Sequence, residues 1–435
     1  MFSLQFTKSI ISAVVLSSVL ALAAPAGTPV ADAAAATQTA PYAGKDSNAV
    51  LWSEYEQKNA PQPIRGTLGA TILGPNNLAS NLQNADLLAP PSTDSGTVGN
   101  AKWPFSLSHN RLQTGGWARQ QNVRLMPLAK EMAGVNMRLE AGAVRELHWH
   151  KTAEWAYVLK GGVTITTVNS KGQSWIDTVQ QGDLWYFPPG VPHLLQATSD
   201  HPEGAEFLLV FDDGDFSEDS TFSLTDWLNH TPKSVLAKNF RTSAEAFDRI
   251  PGKELYIFPA TPLSEKDKVA HGDAPMPYTY KLSQAKPTLL EGGSAKIVDS
   301  SVFNISTTIA AAEVTVEPGA MRELHWHPTQ DEWSYFLEGN ARVTLFASSG
   351  QARTFNYQAG DVGYVPGTFG HYVENTGNTT LRFLEVFKSD KFEDISLNQW
   401  LALTPPELVK AHLQLDDDTL KKLNTTKITV TGPSN

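Results

Sequence analysis

Six of the chain's 11 histidines fall into two sets of one design. His148 and His150 stand two apart, Glu154 follows, and His193 arrives after the turn-rich stretch Pro188-Pro189-Gly190-Val191-Pro192. His325, His327, Glu332 and His371 repeat the set. On a strand, residues two apart face the same way and lie roughly 6–7 Å apart, so both imidazoles of each pair can reach one ion. Trp149 and Trp326, between them, point away. A single His-x-His carries little weight. Three imidazoles and a carboxylate, present twice, form a donor set for a borderline divalent metal with open positions left over. One carboxylate against a divalent charge leaves such a site net positive, which favours an anionic substrate.

These sets belong to a longer repeat. Gly142-Ala143-Val144-Arg145-Glu146-Leu147-His148-Trp149-His150 returns as Gly319-Ala320-Met321-Arg322-Glu323-Leu324-His325-Trp326-His327, an offset of 177 residues. Gln181-Gly182-Asp183 returns as Ala359-Gly360-Asp361, and Trp227-Leu228 as Trp400-Leu401. The chain is therefore two copies of one domain. Short apolar runs divided by Gly-containing turns predict strands over Glu154 to Leu159 and Val163 to Val168, and over Trp333 to Leu337 and Ala341 to Phe346. Helical appendages are expected over Leu224 to Phe247 and Leu397 to Leu423, with Pro405 in a first turn and Asp416 to Asp418 capping Thr419 to Leu423. The expected architecture is all-β, two barrels with small helical appendages. The division is an arm over 24–100, one domain over 101–250 and a second over 251–435.

Composition narrows the chemistry further. The 435 residues carry 34 Lys+Arg against 45 Asp+Glu, a net charge of −11, with no basic stripe to hold a nucleic-acid backbone. No cysteine is present, which excludes disulfides, thiolate nucleophiles, iron–sulfur clusters and Cys-ligated zinc. Lys8 precedes an apolar run from Ile10 to Ala23 that ends in Ala21-Leu22-Ala23, so residues 1–23 read as a secretory signal peptide. That run is too short for a membrane anchor. The sequons at Asn304, Asn378 and Asn424 suit a secreted glycoprotein, and Pro232 disfavours the one at Asn229.

Gly142-x5-His148-x-His150-x3-Glu154-x6-Gly161 fits the first cupin motif, and Gly182-x5-Pro188-x-Gly190-x2-His193 fits the second. Ala197 stands where the pattern has Asn. The second copy supplies Gly319, His325, His327, Glu332 and Gly339, then Gly360, Pro366, His371 and Asn375, with Thr368 at the usual Gly. The chain thus resembles a bicupin, a pair of jelly-roll-like double-stranded β-helix barrels. More closely it resembles the secreted fungal oxalate decarboxylases, over nearly the whole mature chain. That resemblance implies oxalate as substrate, formate and carbon dioxide as products, two manganese ions per chain and dioxygen as a redox cofactor. It implies no nucleic-acid or membrane partner, and assembly into a hexamer.

The copies differ most after the second motif, where the first has three extra residues within Ser217-Glu218-Asp219-Ser220-Thr221. An insertion beside a metal pocket is a candidate lid, and the resemblance makes Glu218 its proton donor. Arg145 and Arg322 stand three before the first His of each copy. That odd spacing faces them outward on a regular strand, so the inward, substrate-binding place implied by the family requires a bend. Glu385 replaces Leu209 and is either an acid of a second site or a partner for Arg322. Other readings share these ligands: an oxalate oxidase releasing hydrogen peroxide, an iron or copper bicupin dioxygenase, or a binding or storage bicupin without turnover.

Overall fold

The computed structural model describes residues 61–433, apart from 265, 267, 269–271 and 273. The predicted signal peptide and the start of the arm lie outside the described residues. Each half of the chain forms a barrel from one six-stranded and one seven-stranded antiparallel sheet. The predicted strands appear as Glu154–Lys160, Gly162–Val168, Glu332–Glu338 and Asn340–Ala347. Gly161 and Gly339 turn the chain from one sheet to the other with φ of +78° and +82°. A Cβ on Gly161 would stand 2.1 Å from the Gly204 carbonyl oxygen, so only glycine fits that corner.

The inner strands are buried on both faces. Glu332, Ser334 and Phe336 face the second barrel's interior, whereas Trp333 and Tyr335 belong to the core shared with the first barrel. Trp333 Nε1 donates to Gln121 Oε1 at 2.8 Å and Tyr157 Oη donates to Glu313 at 3.0 Å, tying the barrels together. The predicted helical segments are broken ones: Leu224–Asn229 and Lys233–Phe240 in the first copy, and Leu397–Leu403, Pro406–Leu413 and Asp417–Leu420 in the second. Asp416 caps the last of these through Thr419 N, and that helix starts two residues earlier than expected.

The domain limits need correction, because strands cross between the barrels. Lys102–Pro104 pairs with Asp361–Val365 and completes a sheet of the second barrel. Ile257–Phe258 and Thr279–Tyr280, placed by sequence in the second domain, join the two sheets of the first. Such strands of two or three residues are too short for any periodicity to reveal. Nor is the arm a loose linker from residue 61 onward. Buried Asp86 accepts from Arg342 Nη2 at 2.7 Å, from Asn356 Nδ2 at 2.7 Å and from Arg65 Nη2 at 3.2 Å. Replacing Asp86 by Ala takes a shared carboxylate from two buried guanidiniums and should cost about 3–5 kcal/mol. Denaturant unfolding will show a lower midpoint for D86A; an unchanged midpoint would mean that the arm contributes nothing to the barrel it covers.

Candidate metal centres

The strand Val144–Trp149 sets up the first cluster through a pairing irregularity. His148 lies opposite His193 and Arg145 opposite Leu195, so three residues on one side span two on the other. That bulge turns both Arg145 and His148 inward, supplying the bend that the odd spacing demands. The second barrel repeats it, with His325 opposite His371 and Arg322 opposite Val373. His148, His150, Glu154 and His193 then bring their ligand atoms within 4.8 Å of one another, as do His325, His327, Glu332 and His371. All eight residues are buried.

Backbone carbonyls fix which ring nitrogen faces the centre. His148 Nδ1–H donates to Glu146 O at 2.6 Å, His150 to Thr152 O at 2.8 Å and His193 to Val191 O at 2.9 Å. In the second cluster the acceptors are Glu323 O, Glu393 O and Phe369 O, at 2.6, 2.8 and 2.9 Å. Each Nε2 lone pair is thereby left to the cavity. The Nε2 atoms of His193 and His325 are buried without a hydrogen-bond partner among the described residues, a costly state that a metal ion relieves. The carboxylates are oriented as well: Glu154 accepts from Trp185 Nε1 at 2.8 Å, and Glu332 accepts from Ser334 Oγ. Burial alone would raise the Glu154 pKa, but the facing His193 and His150 outweigh it and hold the carboxyl well below its usual range. Burial, then Arg145 and the neighbouring imidazoles, keep His148 well below the ordinary histidine value, so its ring stays neutral. Neutral imidazoles and an ionised carboxylate are the protonation states a divalent cation needs.

The two arginines differ in what they are free to do. Arg145 Nη2 lies 3.3 Å from Glu218 Oε2, while its Nε and Nη1 are buried with no partner among the described residues. Arg322 is spent internally: Nε donates to Glu385 at 3.2 Å, Nη2 pairs with Asp394, and Nη1 meets Thr429 O at 3.4 Å. Of the two readings open for Glu385, this contact favours the arginine partner. Burial pushes its carboxyl up to about 7 despite Arg322. Glu218 sits on the Glu218–Ser220 turn and is 9 % exposed, its Oε2 accepting from Tyr256 Oη at 2.6 Å.

Sequence reasoning missed three supporting residues. Glu146, inside the repeated motif, accepts from Thr225 Oγ1 and from the backbone N–H of Leu255 and Tyr256, tying the helix that follows the lid to the segment bearing Tyr256. Its recurrence as Glu323, which holds Ser396 and Thr429, was the available signal. Gln120 receives the Glu218 N–H at 3.0 Å. Tyr256 carried no signal, since it lies in the connection between the copies.

A cupin family model matches residues 107–247 and 280–421. The oxalate decarboxylase OxdC of Bacillus subtilis is 58% identical over 367 residues, covering 83% of this chain and 94% of that protein. A probable oxalate decarboxylase of Arthroderma benhamiae is 42% identical over 374 residues, covering 84% and 92%. Among solved structures, B. subtilis oxalate decarboxylase at pH 4.6 superposes with a TM-score of 0.84 at 56% identity, covering 86% of this chain and 98% of that one. Another structure of that bacterial enzyme, from work on its Mn(II) centres, gives 0.84 at 55% identity and covers 86% and 100%. Replacing Trp185 by Phe removes the donor that orients Glu154 and should weaken metal binding at the first cluster by about 10- to 100-fold. Metal titration of W185F will show one weakened and one unaltered site; two unaltered sites would contradict the orienting role.

Proposed function

The chain belongs to the cupins and, within them, to the bicupin oxalate decarboxylases, and on that footing we propose that it splits hydrogen oxalate into formate and carbon dioxide at the first metal centre. The observation that carries this reading is Arg145, a buried guanidinium with two unspent N–H groups beside a three-imidazole cage and facing Glu218. Manganese bound by these ligands supplies open positions for the substrate's oxygens and, together with dioxygen, a reversible one-electron withdrawal that weakens the carbon–carbon bond.

The chain's own residues do the rest. Arg145 Nε and Nη1 take the oxygens of the anion, and they act strongly because Phe187, Phe211 and Phe216 pack against the imidazoles and keep water out. Glu218 Oε2 takes the acidic proton of hydrogen oxalate and returns it to the carbon left behind once carbon dioxide departs. The atoms balance as hydrogen oxalate giving formate and carbon dioxide, with no net oxidation. Because the substrate is the monoanion, activity should be greater in acid. The second centre supports turnover less well. Its arginine is already bound to Glu385 and Asp394, and Asp394, two residues after Phe392 as Glu218 is two after Phe216, is itself held by Arg322 and Lys427.

An oxidase would use the same ligands to turn oxalic acid and dioxygen into two carbon dioxides and hydrogen peroxide. A proton donor held at the centre by Arg145 and Tyr256 favours formate instead. The leader-like start and the exposed Asn304, Asn378 and Asn424 support secretion and glycosylation. Apolar side chains left open on the appendages of both copies, including Trp227, Phe240, Trp400 and Leu403, support association between copies, and the hexamer is what the family resemblance implies.

Incubation with oxalate, measuring formate and peroxide separately, tests the reading. Formate should appear one for one with carbon dioxide and with little peroxide. Glu218→Ala should abolish formate while manganese content stays at the parental level. Full decarboxylase activity in E218A would refute the proton-donor assignment.

A further inference from the structure

The lid's outer side holds a feature that the reaction scheme does not use. Arg111, on the edge strand Arg111–Gln113, lays its guanidinium over the Tyr256 ring, 3.6 Å from the centroid. Arg145 lies over the same ring at 4.2 Å. Tyr256 Oη is the group that donates to Glu218 Oε2. Arg111 also pairs with Glu254 and reaches Asp219 of the lid at 3.7 Å. Its contacts therefore fall on three points: the lid, the tyrosine that grips the lid's carboxylate, and the segment bearing that tyrosine.

The duplication provides an internal control. At the 177-residue offset, Arg111 corresponds to Thr288. Ile257 and Val430 each pair with the arginine of their own barrel, so Tyr256 corresponds to Thr429, and both have positive φ, 58° and 65°. The backbone corner is common to the two copies, but the aromatic ring and the cation over it occur only beside the lid. Where no lid exists, Thr429 offers Arg322 only a carbonyl. A purely structural role would leave the second barrel with the same need.

The space around the lid suits a moving part. A cavity of about 440 Å³ lies beside it, lined by Arg111, Arg119, Gln120, Leu125, Ser217 and Tyr256, with Glu218 in its wall. The lid could swing into it. Holding Glu218 at the metal centre instead requires something outside the cage. The Arg111–Asp219 pair is exposed and contributes little on its own, whereas a guanidinium stacked on a ring and paired with Glu254 is a firmer hold.

We propose that Arg111 is a positioning residue that, through Tyr256, latches the Ser217–Thr221 lid with Glu218 beside Arg145, and so sets the ratio of formate to peroxide. This rests on the decarboxylase reading, so the test has one arm that does not. The chain has no cysteine, and exposed Ser220 replaced by Cys accepts a nitroxide label whose spectrum reports lid mobility without substrate. Arg111→Met should sharpen that spectrum, and Arg111→Lys should restore part of the parental line shape. In the unlabelled enzyme, Arg111→Met should lower the formate-to-peroxide ratio by roughly 3- to 10-fold, the scale of one stacked cation. Manganese content and unfolding midpoint should stay unchanged, with KM moving less than kcat. A label as immobile in R111M as in the parent would overturn the latch, whatever the products. If the parent makes no formate, the decarboxylase reading fails, and the spectrum alone decides the latch.

Discussion

One irregular pairing governs the site. In each barrel, three residues of the Arg-Glu-Leu-His strand span two of the strand that bears the third histidine. A regular ladder would put Arg145 on the face opposite His148, where it could only meet solvent or a neighbouring sheet. The bulge brings cation and ligand to one cavity at the cost of a locally broken ladder. The neutral ring of His148, kept so by burial and then by Arg145, follows from having both groups inside. Without it the cage could still hold a cation, but nothing would face an anion bound there.

Two copies of this frame have been put to different uses by a few residues each. In the second, Glu385 and Asp394 occupy the Nε and Nη2 of the arginine in a buried ion-pair network. In the first, Leu209 stands in place of Glu385, and the arginine keeps two donors unspent. A buried donor without a partner is costly. That cost is acceptable where a ligand regularly supplies the partner, as at a substrate site. Glu218 stands 3.3 Å from this arginine on the longer loop of the first copy, where the shorter loop of the second has Asp394 against Arg322.

Much of this was legible in the sequence, for identifiable reasons. Eight ligands could be named because metal binding ties residue type to spacing, and duplication removed chance as an explanation. Strands such as Glu154–Lys160 were found to within a residue because both faces are apolar between glycine corners. The inward turn of Arg145 was not legible, since a bulge is a property of two paired strands and leaves no mark on one. The exchange of Lys102–Pro104 and Ile257–Phe258 between barrels was hidden for a related reason: two- and three-residue strands are chosen by the sheet edge they meet. Tyr256 was invisible because its role depends on a left-handed backbone corner that points it at the lid.

The most direct test is a crystal structure of the manganese-loaded Glu218→Ala variant soaked with oxalate, with data collected at the manganese edge. The account predicts anomalous peaks inside both cages and oxalate in the first alone, its oxygens on Arg145 Nε and Nη1. Oxalate bound only beside Arg322, or a first cage holding the metal while Arg145 points elsewhere, would contradict it.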